Sequence, residues 1–473
     1  MSTDTDADAD ADGDPDPERV RERLDAFAPA LGRTWTGTGP WEFLTELTAI
    51  GSRMGGSDGE RAAADLVADA FREAGLRDVH TDPFEMNAWR RGETTLEVTT
   101  PTRTGEGERT RSFEARALPY SPAGAVDAEL VDAGYGTPDE IDEVDVEGKL
   151  VVASTTTPAG GRFVHRMEKF GYAVGAGAAG FVFVNHLDGQ LPPTGSLTFG
   201  EEAEALAVGV SKETGAWLRE YAANTPGETA SVHCSVDAET VPGESRNVVG
   251  RTGPDTDERL LLVDHYDGHD IAEGALDNGC GIATVVTAAG ILAEADLALG
   301  VDVVAVGCEE VGLLGAEHLA ETTDLDSVAG VVNVDGAGRF RDLVALSHTS
   351  AATGAVAEAV SRATRHPIEV EGEPHPFSDQ WPFVRRGVPA LQLHSDSGER
   401  GRGWGHTHAD TRDKVDDRNV REHGMLTALL VAELAEPDAD LPRRDVDELA
   451  DAFREADFET GMRAADLWPA GWE

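Results

Sequence analysis

The sequence contains little lysine and little basic charge of any kind. Of 473 residues, 39 are Lys or Arg and 89 are Asp or Glu, so the formal net charge is −50. The lysines are Lys149, Lys169, Lys212 and Lys414. Proteins that bind nucleic acid need a basic face that replaces the counterions of the phosphate backbone, and no basic cluster occurs in this sequence. We therefore expect neither nucleic acid nor an anionic membrane surface to be a partner.

Cysteine and long apolar segments are also scarce. Cys234, Cys280 and Cys308 are too few and too scattered for a disulfide framework. No apolar run reaches the roughly 20 residues of a membrane span, and the acidic N-terminus lacks the basic and apolar regions of a signal peptide. The sequence thus predicts a cytoplasmic protein with reduced thiols. It leaves the oligomeric state open, with a homo-oligomer among the options.

The excess of acidic residues predicts adaptation to concentrated salt. Salt screens the self-repulsion of an acidic surface, whereas hyperthermophile proteins tend to gain Lys together with Glu. We interpret the protein as halophilic. An acidic protein from a mesophile is the alternative.

The chain is longer than a usual single domain, and its pattern changes along the sequence. Residues 117–234 carry strand and helix signals of their own and predict a small β-rich module inserted into a larger α/β domain. The predicted parts are residues 1–16 as a disordered acidic N-terminus, 17–116 with 235–436 as the α/β domain, 117–234 as the insert, and 437–473 as an acidic C-terminal extension.

The α/β domain shows apolar runs of strand length separated by helical stretches. These runs are residues 260–263, 301–306, 328–334, 343–346 and 390–393. They predict buried, mostly parallel strands covered by helices, and ligands of such sheets bind beyond the carboxyl ends of the strands. Nearer the N-terminus, Ser57 and Glu60 predict a capping box for a helix that Gly75 ends.

Charged and imidazole side chains follow these strands directly. The segments are Asp264-His265-Tyr266-Asp267, Gly274-Ala-Leu-Asp277-Asn-Gly279, Gly307-Cys308-Glu309-Glu310, Asp335-Gly336 and, later in the chain, His406-Thr407-His408-Ala409-Asp410-Thr411. Each segment alone is a weak signal. Together they are more informative, because an unpaired buried carboxylate is costly and a dication removes that cost. Oxygen and imidazole donors at neighbouring strand ends therefore predict a metal site.

The order of these motifs resembles that of the M28 metallopeptidases. It reads His-x-Asp, Gly-Ala-x-Asp-Asn, Glu-Glu-Val-Gly-Leu-Leu-Gly315, Asn-Val-Asp and His-Thr-x-x-Asp-Thr. The insert resembles a protease-associated (PA) domain, with a Gly-Lys strand start, an Ala/Gly-rich helix and a strand that ends at Asn185. The resemblance implies a zinc exopeptidase fold of the α/β class, a mixed, mostly parallel sheet with helices on both faces, plus the small PA-like insert.

The resemblance also implies two divalent metal ions, with Zn²⁺ as the expected metal. Asp277 would bridge the two ions. His265 and Asp335 would complete one site, and Glu310 and His406 would complete the other. The family holds the bridging aspartate in a cis peptide bond with the next residue, so the bond from Asp277 to Asn278 is expected to be cis.

Two further residues receive catalytic roles from the resemblance. Glu309 is the implied general base, which passes a proton from water to the leaving amine, and Asp267 would orient the histidine of the first site. The family often has Tyr before its last histidine ligand to hold the carbonyl oxygen, and here that residue is Gly405. Trp404 and His375 are both candidates to replace it.

Neighbouring polar residues are expected to be less important. His269 and Asp270 should line the rim of the pocket, and His408 is a weaker candidate than His406 for the ligand. Cys280 and Cys308 are expected to be small buried thiols. The insert should border the site without supplying ligands, so its deletion should leave metal binding intact.

The resemblance implies a metal-dependent exopeptidase for short peptides, with aminopeptidase activity as the leading hypothesis. The segment from His265 to Asp277 also resembles a dipeptide-cleaving carboxypeptidase branch, which would need a cationic clamp for the substrate carboxylate. The candidates for this clamp are Arg385, Arg386, Arg400 and Arg402. A glutaminyl-cyclase-like activity and a non-catalytic binding role are disfavoured, because every donor of the pattern is retained.

Overall fold

The structure is a computed structural model that describes residues 17–102, 107–223, 230–398, 403–437 and 439–472. The predicted disorder of residues 1–16 lies outside these ranges. The helices are α1 (Pro17–Thr36), α2 (Gly39–Ala49), α3 (Asp58–Glu73), α4 (Pro138–Asp142), α5 (Arg166–Gly175), α6 (Lys212–Ala222), α7 (Cys280–Leu292), α8 (Leu314–Thr322), α9 (Ala351–Thr364), α10 (Trp381–Val384), α11 (Asp417–Leu434), α12 (Val446–Glu455) and α13 (Glu459–Ala464). The strands are β1 (Arg77–Pro101), β2 (Glu108–Phe113), β3 (Arg116–Ala117), β4 (Gly124–Asp132), β5 (Leu150–Ser154), β6 (Gly180–Val184), β7 (Leu206–Val210), β8 (Ser231–Thr252), β9 (Arg259–His265), β10 (Gly300–Val306), β11 (Val328–Val334), β12 (Asp342–Leu346), β13 (Ile368–Glu371) and β14 (Ala390–Asp396).

The larger domain is built on a mixed sheet in the order β13-β12-β14-β11-β9-β10-β8-β1. The central strands β14, β11, β9 and β10 are parallel. β12 runs antiparallel to β14 and parallel to β13, and β8 runs antiparallel to both β10 and β1. Along β9, Leu260 and Leu262 face one hydrophobic core and Leu261 and Val263 face another, because successive side chains of a strand point to opposite faces. Helices cover both cores, and the predicted mixed sheet with helices on both faces is confirmed.

A long two-stranded ribbon joins the larger domain to the insert. β1 and β8 pair antiparallel from Arg77 opposite Arg251 to Thr99 opposite Ser231. At the far end of the ribbon β8 also pairs with β4, from which the parallel strands β5, β6 and β7 follow. The alternating pattern of residues 95–100 by itself predicts only a short strand, because it does not reveal how far the pairing continues.

Helix α3 begins with only half of the predicted capping box. Ser57 Oγ accepts a hydrogen bond from Glu60 N at 3.1 Å, as expected for an N-cap. The Glu60 carboxylate does not return to Ser57 N. Instead it accepts from Gly56 N at 2.6 Å and from Ser245 Oγ at 2.7 Å, because β8 packs over this end of the helix. Gly75, with φ of 90°, follows the end of α3 as predicted.

Two segments pack more deeply than the sequence indicated. Within the described residues, Ala275–Leu292 is long and apolar enough to cross a membrane, which corrects the expectation that no such run exists. This stretch is 89% buried inside the fold, as a core helix would be. Near the C-terminus, Phe453 and Trp472 pack on Trp381 of α10, so the acidic extension is part of a hydrophobic core.

Candidate metal centre

The predicted site residues converge at the carboxyl ends of three parallel strands. His265 is the last residue of β9 and lies in register with Val306, the last residue of β10. Glu309 and Glu310 follow β10, and Asp335 follows β11 directly. Because β9, β10 and β11 run parallel, the segments that follow them meet at one edge of the sheet.

The first group of donors surrounds the imidazole of His265. Its Nε2 atom lies 3.8 Å from Asp277 Oδ1, 4.0 Å from Asp335 Oδ1 and 4.0 Å from Glu309 Oε2. These distances exceed hydrogen-bond length. Donor atoms that share an ion need such separations, since each lies about 2.0–2.2 Å from a zinc ion.

The second group surrounds the carboxylate of Glu310. Its Oε2 atom lies 2.9 Å from His406 Nε2 and 3.0 Å from His269 Nε2. Asp277 Oδ2 lies 3.2 Å from the same His406 nitrogen, so the two oxygens of Asp277 face the two groups. His269 was expected at the rim and is instead a buried member of this group. His408, the weaker candidate, is exposed.

Asp267 holds both the first histidine and the segment that follows β10. Its Oδ1 atom lies 3.4 Å from His265 Nδ1, on the side of the ring away from the donor group. The same carboxylate accepts hydrogen bonds from Glu309 N at 3.0 Å and Glu310 N at 3.2 Å. One buried carboxylate therefore fixes His265 and both neighbouring glutamates, a larger role than orienting one imidazole.

Asp277 lies in a tight turn, residues Ala275–Gly279, that leads into α7. The peptide bond from Asp277 to Asn278 is cis, as predicted. Asp410 accepts hydrogen bonds from Leu276 N at 2.6 Å and Asp277 N at 3.1 Å, which connects the His406 loop to this turn. The position of Asp277 is thus set by a backbone that is itself hydrogen-bonded to the other side of the site.

Arg339 is a site residue that the sequence did not reveal. Its Nη2 atom donates to Asp277 Oδ1 at 2.6 Å and lies 3.4 Å from Asp335 Oδ1, and its Nε donates to Leu276 O at 2.6 Å. The buried guanidinium compensates part of the negative charge of the cluster. The segment Gly336-Ala-Gly-Arg339 has no recognisable motif, and the only signal is an arginine four residues after a candidate ligand.

The two neighbouring glutamates differ in electrostatic environment. Burial raises the pKa of Glu309 well above its ordinary value; His265 opposes this and Glu310 adds to it. Burial also acts to raise the pKa of Glu310, but His269 and His406 hold it well below its ordinary value. Glu310 therefore holds its negative charge more firmly, and Glu309 is the more readily protonated carboxyl of the pair.

The residues of this cluster fit divalent metal ions. Four carboxylates and three imidazoles come together in a buried space, and His265 Nε2 and Glu310 Oε1 have no hydrogen-bond partner among the described residues. The thiols are engaged elsewhere, with Cys280 Sγ directed to Leu276 O and Cys308 Sγ to Glu60 Oε1. An oxygen and nitrogen donor set without thiolate is typical of hydrolytic zinc sites and accepts related ions.

A cavity of about 970 Å³ opens beside the cluster and is lined by both domains. Asp335, Arg339 and His406 line it from the larger domain, and Arg166 and Thr194 line it from the insert. The insert therefore borders the cluster.

The insert also contacts one of the candidate ligands. Thr194 N donates to His406 O at 2.9 Å, and His406 Nδ1 lies 3.2 Å from Thr194 O. The insert supplies no side chain to the donor groups of the described cluster, but its backbone holds the far side of the His406 ring.

Comparison with known protein families agrees with the fold and the donor set. Residues 247–431 match peptidase family M28, and residues 125–218 match the PA domain. The chain thus carries an M28 peptidase domain with a PA domain insert.

Known proteins with related sequence or structure agree with this class. The chain is 26% identical over 293 residues to the probable lipoprotein aminopeptidase LpqL of Mycobacterium tuberculosis, a match that covers 59% of this chain and 53% of that protein. The chain spans about half the length of the first curated relatives that it matches. A peptidase M28 precursor from Shewanella amazonensis has a TM-score of 0.74 at 19% identity, with 91% of this chain and all of that chain covered. BSAP, a zinc aminopeptidase from Bacillus subtilis, has a TM-score of 0.64 at 22% identity, with 86% of this chain and 98% of that chain covered. These two structures share the fold of this chain.

Proposed function

We propose that the protein is an aminopeptidase that uses two divalent metal ions, zinc in the native enzyme, to hydrolyse the N-terminal peptide bond of short peptides. The observation that carries this proposal is the position of Asp277 between two donor groups. One of its oxygens faces His265 and the other faces His406. A carboxylate in that position suits a bridge between two ions. The description of a related fold as a zinc aminopeptidase supports zinc.

The donors divide naturally between the two ions. Asp277 would be shared, His265 and Asp335 would serve one ion, and Glu310 and His406 would serve the other. Bound at this place, two divalent ions would acidify a water molecule and polarise the scissile carbonyl. Asp267, which lies beside Nδ1 of His265, would keep this imidazole oriented with its Nε2 atom towards the ion.

Glu309 is the proposed general base and acid. Its carboxylate accepts a proton from the attacking water, and the same carboxyl later donates that proton to the nitrogen of the leaving amine. Its raised pKa favours holding the proton between the two steps, and it retains its position through the hydrogen bond from its own backbone N–H to Asp267. Glu310, held as an anion by two imidazoles, is poorly suited to this exchange.

Two residues are candidates to hold the substrate carbonyl in place of the family tyrosine. Gly405 and His375 both line the cavity, whereas Trp404 is absent from the described residues that line it. His375 is therefore the stronger of the two candidates to hold the substrate carbonyl. Arg339 also lines the cavity and is a further cationic donor near the cluster.

Charges in the cavity favour an amino terminus over a carboxyl terminus. Glu371, Glu373 and Asp396 line its wall and suit a protonated amine. The carboxypeptidase alternative relied on a cationic clamp, but Arg385 and Arg386 both pair with Glu317 instead of lining the cavity.

The observation that still favours a carboxypeptidase is the presence of Arg162, Arg166 and Arg339 in the cavity wall. The other two clamp candidates, Arg400 and Arg402, lie outside the described residues.

A panel of blocked dipeptides tests the direction of cleavage. Aminoacyl amides with a free N-terminus should be hydrolysed, and N-acetylated dipeptides with a free carboxyl group should not. Chelation should abolish the activity, and added Zn²⁺ should restore it. Hydrolysis of the N-acetylated dipeptides alone would establish the carboxypeptidase alternative. A protein that is loaded with metal but hydrolyses neither set would not be an exopeptidase.

We further propose that the enzyme works in the cytoplasm of a halophile and that nucleic acids and anionic membranes are not its partners. The net charge of −50 supports the halophilic assignment through the screening of self-repulsion by salt, and it disfavours nucleic acids and anionic membranes through electrostatic repulsion. Activity and the unfolding midpoint should both rise with potassium chloride concentration. A protein that is fully stable at low salt would contradict the halophilic assignment.

A further inference from the structure

His269 lies inside the second donor group, although the motif resemblance gives it no role. Its Nε2 atom is 3.0 Å from Glu310 Oε2, the oxygen that also contacts His406 Nε2 at 2.9 Å. The rings of His269 and His406 meet edge to face with centroids 4.5 Å apart. One nitrogen of each ring and one oxygen of Glu310 all lie within 4.8 Å of one another.

The backbone around His269 is held from several directions. Arg53 donates to Tyr266 O at 2.9 Å, to Glu273 O at 2.5 Å and to Gly274 O at 2.9 Å, and Gly268 N donates back to Arg53 O at 3.2 Å. A fully buried guanidinium thus fixes both ends of the loop that carries His269.

The residue after His269 is anchored as well. Asp270 accepts hydrogen bonds from Arg91 of the β1 strand, at 2.9 Å from Nε and 2.7 Å from Nη2. With its neighbours fixed on both sides, the His269 ring cannot easily move out of the cluster.

The polar atoms of His269 lack the hydrogen bonds expected of a buried imidazole. The side chain is 5% exposed, and neither ring nitrogen forms a well-aligned hydrogen bond within the part of the chain that the structure describes. Buried polar atoms are normally satisfied. The Nε2 atom of His269, 3.0 Å from Glu310 Oε2, would be satisfied by an ion that both side chains bind.

We propose that His269 is a further ligand of the ion that Glu310 and His406 hold. This inference rests on the proposed two-metal centre. The second ion then has four protein donors, Asp277, Glu310, His406 and His269, whereas the first has Asp277, His265 and Asp335. Catalytic zinc sites keep an open position and structural sites are closed. The second ion is therefore held more firmly, and the open position for substrate belongs to the first.

The experiment has two readouts besides activity. In the Co²⁺-loaded protein, each coordinating histidine gives one exchangeable ring N–H resonance with a large hyperfine shift, so the resonances count the histidine ligands directly. Competition with a chelator of known affinity measures how tightly each of the two ions is bound. The variants are His269→Ala and His269→Gln, with His408→Ala as a control at an exposed histidine close to the site.

Three shifted ring N–H resonances are expected in the unmodified protein, and two in His269→Ala. In both His269→Ala and His269→Gln, the affinity for the second ion should fall by more than about 100-fold. Loss of a residue that only supports a ligand already changes metal affinity by about 10- to 100-fold, and loss of a ligand should cost more. Glutamine can donate a hydrogen bond to Glu310 but is a poor zinc ligand, so it should not rescue binding. His408→Ala should leave both ions unchanged.

Two resonances in the unmodified protein would overturn the inference without needing any variant. Full rescue by His269→Gln would also overturn it, because His269 would then only position Glu310. Unchanged affinity in His269→Ala, with two ions bound, would remove this inference alone. A protein that binds no metal would instead remove the proposed function together with it.

Discussion

Replacing Glu309 by glutamine removes the proposed proton carrier while it preserves shape. The backbone N–H of residue 309 still donates to Asp267, so the segment after β10 should keep its position. The neutral amide cannot accept a proton from water. General-base losses are about 10²- to 10⁴-fold, which corresponds to about 2.7 to 5.4 kcal/mol of transition-state stabilisation. We expect kcat to fall by at least this range, because the same carboxyl also serves as the acid.

Metal content must be measured alongside kcat, since the Glu309 carboxylate lies within the first donor group. Its Oε2 atom is 4.0 Å from His265 Nε2, close enough for a ligand role to be a real alternative. If Glu309→Gln still binds two ions but has lost its turnover, the role of Glu309 as general base is supported. Loss of one ion together with activity would make Glu309 a ligand, and unchanged kcat would remove it from the mechanism.

The pH profile gives an independent check on the same residue. Burial raises the pKa of Glu309, and a general base works only when it is ionised. Activity should therefore fall as the pH drops through the pKa of Glu309. The residual activity of Glu309→Gln should lack that acidic limb.

The remaining predictions concern stability, charge and the insert. Arg339→Met breaks a buried ion pair with Asp277 and should lower the free energy of unfolding of the metal-free protein by about 3–5 kcal/mol. Bound Zn²⁺ should restore much of this stability in thermal melts. An equal loss of stability with and without metal would contradict the argument. Burial raises the pKa of Glu60 to about 7 from 4.5, so its contribution to stability declines as the pH rises between those values. In Glu60→Gln the free energy of unfolding should therefore fall less steeply over that interval. Parallel plots of unfolding free energy against pH for the two proteins would refute this prediction. Replacing residues 117–234 by a short Gly/Ser bridge should weaken the ion held by His406, and full two-ion binding after that deletion would show that the insert gives no support.

The sequence predicted the central strands well because they are buried on both faces. The mainly apolar runs at 260–263, 301–306 and 328–334 fall within β9, β10 and β11, and the charged residues after them fall at the common edge. Motif order then indicated which side chains meet. The prediction succeeded where local composition and strand direction determine position.

The sequence failed where a position depends on contacts between distant segments. His269 enters the cluster because Arg53 and Arg91, about 180 to 220 residues away, fix its loop. Glu60 turns away from Ser57 because Ser245 offers a hydrogen bond. Neither long-range contact leaves a periodic or spacing signal near the residue that it affects.

The insert contributes to the site through its backbone, although it supplies none of the candidate ligands. From the sequence we expected its removal to leave metal binding intact, because all candidate ligands lie outside it. The contact between Thr194 and His406 changes that expectation, since the carbonyl of Thr194 lies 3.2 Å from the nitrogen of His406 that faces away from Glu310. A hydrogen bond at that nitrogen selects the tautomer and orientation in which the other nitrogen can bind an ion. The partner is a backbone carbonyl, so the effect depends on the fold of the insert more than on the identity of residue 194. The insert thus forms a wall of the cavity and supports one candidate ligand, so in the proposed two-metal centre it would couple the space available to substrate with the binding of the second ion.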